Sequence, residues 1–86
     1  MQIEGAVIKE QNLTFAVVVV KPEVIRNCTK AQDAIRSFMP VFHGMPVVLM
    51  AQDNSGVPTY YGRQDISHFM ASVPLQAIPW RRYDLH

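Results

Sequence analysis

Eighty-six residues, 49% of them hydrophobic, make one domain (1–86) with enough apolar mass to build a core without disulfide staples. A formal charge of +1 creates no field that implies nucleic acid or a membrane surface, and the longest apolar run, Phe15 to Val20, is too short to span a bilayer. Cys28 is the single cysteine, which excludes an internal disulfide; with no secretory n-region and h-region at the start, a reducing cytoplasm is the expected compartment.

Ile3 to Glu10 is expected as a first strand, with β-branched Ile3, Val7 and Ile8. Gln11-Asn12 can close a tight turn, because asparagine tolerates positive φ. Leu13 to Val20 should be a central strand. Leu13, Phe15, Val17 and Val19 alternate with Thr14, Ala16, Val18 and Val20, so both faces are almost wholly apolar, as in a strand covered on both sides. Lys21-Pro22 ends it, since proline cannot donate to a ladder.

Glu23 to Asn27 is expected to be a connector with room for one irregular turn. Thr29 and Gln32 fit a capping box that opens a helix, and Ala31, Ala34, Ile35, Phe38 and Met39 form its apolar stripe up to Pro40. Val41 to Met45 then links to a hairpin. Val47 to Gln52 is apolar on both faces, Asp53-Asn54-Ser55-Gly56 has turn composition, and Val57 to Gly62 returns. Asp65 falls in the first turn of the next helix, which carries Ile66, Phe69, Met70 and Val73 and stops at Pro74.

The tail from Leu75 to His86, with Ile78, Trp80, Tyr83 and Leu85, is too apolar to stay free and should add a strand or wrap the sheet. The expected architecture is α+β, in the order ββαββα. Its sheet has four strands, antiparallel or mixed, with two amphipathic helices mainly on one face. The second apolar face then needs a cover, either the tail or a second copy of the chain, and a homodimer is the expected partner arrangement.

Chemistry is sparse. A thiol near a helix start can ionise early, so Cys28 is a candidate reactive cysteine. The Met45-Pro46 entry to a hairpin and Gly62 before a helix are loosely similar to the second half of a thioredoxin-like domain, a resemblance that would imply redox chemistry. Cys28 is followed by Thr29, Lys30 and Ala31, however, so the Cys-x-x-Cys pair is absent. His43, His68 and His86 have no metal-ligand spacing, and no nucleophile, paired carboxylates or phosphate loop stands out, so neither catalysis nor a cofactor is expected. What remains is Tyr60, Tyr61, Arg63, Trp80, Arg81, Arg82 and Tyr83. Aromatics interleaved with arginine suit a protein interface, and a nucleic-acid surface as the weaker alternative.

Overall fold

The run from Leu13 becomes the middle strand of the sheet, an interior position that covers both of its apolar faces. The computed structural model describes residues 2–10 and 12–84. In chain order the elements are β1 (Gln2–Glu10), β2 (Leu13–Val19), α1 (Pro22–Arg26), α2 (Cys28–Phe38), β3 (Val47–Gln52), β4 (Pro58–Tyr61), α3 (Gln64–Met70) and β5 (Arg81–Asp84). The strands lie in the order β4-β3-β2-β1-β5, with β2 and β3 parallel and every other pair antiparallel. The α+β class and the ββαββα order follow the expectation, and the tail adds a fifth strand. Of the expected β1–β2 turn, Gln11 is outside the described residues, as are Leu85 and His86 of the tail.

The helices divide between the two faces of the sheet rather than sharing one. A parallel β2–β3 pair needs a crossover, and α1 and α2 supply it over the first face. There Ala31 and Phe38 pack with Ala16, Val18, Val47 and Leu49, joined by Phe42 from the short 3-10 turn after α2. With that face filled, α3 takes the other, setting Ile66 and Met70 against Phe15, Val17, Val48 and Met50. The expected uncovered face is therefore covered by α3 itself, with Val73 just after it and Leu75, Ile78 and Trp80 of the tail beside it.

Two local expectations are corrected as well. The Glu23–Asn27 connector contains the short helix α1, started by Pro22 at its first position, where a missing N–H costs nothing. The cap of α2 is Asn27 rather than Thr29: Asn27 is extended, and its side-chain oxygen accepts from the Lys30 N–H at 3.1 Å. Cys28 is thus the first residue of α2, exposed and unbridged.

Candidate functional site

β1 is long and its outer neighbour is short. β2 pairs with β1 from Gly5 to Glu10, whereas β5 pairs only with Gln2 to Gly5, ending at Gly5 opposite Arg81. The chain before Arg81 turns away: Pro79 has no N–H to extend the ladder, and Ile78 is buried on the α3 face. Among the described residues, no backbone hydrogen bond reaches the outer side of Val7 to Glu10. Alternate N–H and C=O groups of that stretch therefore face outward unpaired. Val7 is 39% exposed, and a groove of about 340 Å³ runs alongside, walled by Ile8, Phe69, Val73, Ile78 and Pro79.

The other two outer edges are guarded. β4 is four residues long and begins at Pro58; β5 is equally short and exposes Arg81 and Arg82. Brevity, proline and charge are the usual means of blunting a strand edge against another chain. The far half of β1 has two charges, Lys9 and Glu10, and no such interruption.

Around the end of β1, a second concavity of about 590 Å³ opens between the β1–β2 hairpin and α3. Its floor is Leu13, Phe15, Ile66 and Phe69, with the Phe15 and Phe69 rings edge to face at 6.4 Å. Its rim is Glu10, Asn12, Arg63 and Asp65. Arg63 forks onto Asp65, Nε to Oδ1 at 3.2 Å and Nη2 to Oδ2 at 2.7 Å, and Oδ1 also accepts the Ile66 N–H at 2.9 Å. That guanidinium holds the Asp65 carboxyl below its ordinary pKa. Glu10 makes no ion pair among the described residues.

Comparison with protein-family models, with curated proteins and with solved structures finds no match to this chain. Its chemistry has to come from the residues themselves.

The sequence-predicted constellation is split by the fold. Tyr60, Tyr61 and Arg63 belong to the β4 side, and Trp80, Arg81, Arg82 and Tyr83 to the β5 side. Four inter-strand spacings, roughly 19 Å, separate these edges. Most of the aromatics also have packing partners. Tyr83 meets Phe42 edge to face at 5.0 Å, Trp80 packs on the α3 side, and Tyr61 packs on the α2 side. The Tyr61 hydroxyl lies beside the Cys28 thiol, which raises its pKa, an effect Gln32 partly offsets. The Tyr60 hydroxyl is buried with no hydrogen-bond partner among the described residues, and burial raises its pKa too. Arg63, Arg81 and Arg82 remain exposed.

Of the histidines, His43 takes a left-handed conformation (φ 57°) after the 3-10 turn and His68 lies on α3, while His86 is outside the described residues. Among the described residues, no group of three or more His, Cys, Asp or Glu comes together, and no helix is long and apolar enough to cross a membrane. Sequence reasoning missed Val7, Lys9 and Glu10 as surface candidates. Pro79, just ahead of the last strand, was the available signal.

Proposed function

We propose that this protein is a non-enzymatic interaction module that works by strand addition, with a second copy of the chain as its partner on the open half of β1. One observation carries the proposal: the β5 pairing ends at Gly5, and among the described residues the outer edge of Val7 to Glu10 has no partner. Main-chain hydrogen bonds supply affinity in this mode, and the neighbouring groove reads side chains.

Parity and charge select the register. When a two-fold axis extends a sheet, residues of equal parity face each other across it. Centring the pair on Val7 would carry Gly5 into the contact, where Arg81 already sits. Centring it on Lys9 would set two lysines against each other, a destabilising arrangement. Centring it on Ile8 places Val7 opposite Lys9 of the second copy, whose aliphatic stem covers the exposed valine. So short an interface belongs to the weak, transient class, and the dimer should be concentration-dependent. The exposed thiol of Cys28 suits a reducing compartment such as the cytoplasm.

The test is solution mass against concentration by light scattering. The wild type should move from monomer to dimer, and Val7→Lys, which puts like charges opposite, should remain monomeric. Adding Lys9→Glu to Val7→Lys should restore the dimer by making the pair complementary. A monomer at every concentration in the wild type overturns the proposal, as does a dimer indifferent to Val7→Lys.

A further inference from the structure

The cleft between the β1–β2 hairpin and α3 differs in chemistry from the strand edge. It is built by this chain alone, and its volume of about 590 Å³ falls in the range of small-molecule sites. The floor is hydrocarbon and aromatic ring: Phe15 and Ile66 are buried, Leu13 and Phe69 half-buried. Nothing on it fixes a ligand's orientation, so the rim must.

Among the described residues, three charged ones line the cleft, Glu10, Arg63 and Asp65. The Arg63–Asp65 fork is bidentate, so those two charges neutralise each other where they stand. Glu10 is left over. An anionic ligand would find the charge of Arg63 already balanced by Asp65 and would still meet Glu10. A neutral ligand would gain the floor and the Asn12 amide but no charge. A cation gains the floor and an unspent carboxylate together.

We propose that this cleft binds a small primary amine whose apolar body carries an aromatic ring. The ring lies over Leu13 and Phe69, and the ammonium meets the Glu10 carboxylate at the end of β1. The Arg63–Asp65 pair is neutral as a unit, so the charged rim as a whole carries the negative charge of Glu10 and disfavours anions. The floor and rim come from one chain, but Glu10 also ends the edge proposed for strand pairing, so the ligand is tested on the dilute, monomeric protein.

The experiment is an amide chemical-shift titration with three probes of matched shape: 2-phenylethylamine, 2-phenylethanol and phenylacetate. The amine should shift the amides of Asn12, Leu13 and Ile66 saturably, and the alcohol and the acid should do so more weakly. Glu10→Gln, an exposed change at a strand end, should weaken the amine by about fivefold, the scale of one partly exposed charge pair, and erase its preference over the alcohol. Added salt should weaken the amine alone, a readout that needs no variant. No saturable shift, an alcohol that binds as well as the amine, or a tighter phenylacetate overturns the proposal. So does a Glu10→Gln protein that keeps its spectrum and its amine affinity.

Discussion

Replacing Gly5 by alanine puts a methyl group where the fold has no room for one. Gly5 lies inside the sheet, between Val18 of β2 and Arg81 of β5. A Cβ there would sit 2.7 Å from the Val17 carbonyl oxygen, with the Phe42 and Tyr83 rings at 3.6 and 3.7 Å above it. Ordinary contact begins near 3.4 Å, so the backbone of β2 would have to give by more than half an ångström. Overpacking of this kind costs about 1–3 kcal/mol. At a strand position with room, the same substitution would instead gain up to about 1 kcal/mol from the stiffer unfolded chain. The expected net loss of about 1–2 kcal/mol corresponds, for a domain of this size, to a Tm lower by roughly 5–15 °C. Thermal melts of Gly5→Ala and Gly44→Ala make the comparison, because a Cβ on Gly44 meets nothing within 4 Å and only its φ of +81° resists the change. A Gly5→Ala protein that melts at or above the wild-type temperature refutes the reasoning. It would mean that β1 is not clamped between its neighbours, and the straight, open edge beyond Gly5 would lose its support.

Trp80→Ala should lower Tm by removing part of the α3-side packing, at a cost of about 2 kcal/mol for a half-buried ring. It should leave the solution mass unchanged, and a fall in mass would put the interface in the tail. Asn27→Ala should cost about 1 kcal/mol in denaturant melts as a lost N-cap, and Thr29→Ala close to nothing. Asp53 accepts from the Ser55 hydroxyl and from the Val57 and Ser55 N–H groups, which hold its carboxyl below 3.8. Its charge therefore stabilises the β3–β4 turn above the unfolded value of 3.8, and that share fades as pH falls through the lower folded value. The stability gap between wild type and Asp53→Asn should accordingly be full at neutral pH and close in acid. A gap that widens on acidification reverses the sign and sinks the assignment.

Much of the fold was legible because two periodicities carried it. The unbroken apolar run of β2 announced a strand covered on both sides, and the stripe from Ala31 to Phe38 announced α2. The division of the helices was not legible, because the side on which a helix packs depends on the pairing direction of strands far apart in sequence. Once Val17 lies parallel to Val48, the crossover occupies one face and α3 is left with the other. The cap of α2 slipped for a local reason: Asn27 and Thr29 are both competent capping residues, and the extended backbone at residue 27 decided between them. Phe42 was hidden within a presumed link, because proline-led 3-10 turns leave no periodic signature.

The candidate surfaces were harder to see for a different reason. Aromatics and arginines draw attention in a sequence, yet Tyr83 meets Phe42, Tyr61 sits against α2, and the two groups lie on opposite edges of the sheet. What the chain leaves open is main chain, and no residue type marks an unpaired N–H. The edge exists because β5 is shorter than β1, and β5 begins only after Pro79, which cannot continue a ladder. A proline just ahead of a final strand, opposite a longer first strand, is therefore a readable sign of an open edge once the pairing is known. Lys9 and Glu10 add the second half of the argument. They are too few to guard that edge, but Lys9 suffices to reject one self-pairing register, and Glu10 remains to face a cleft whose other charges cancel.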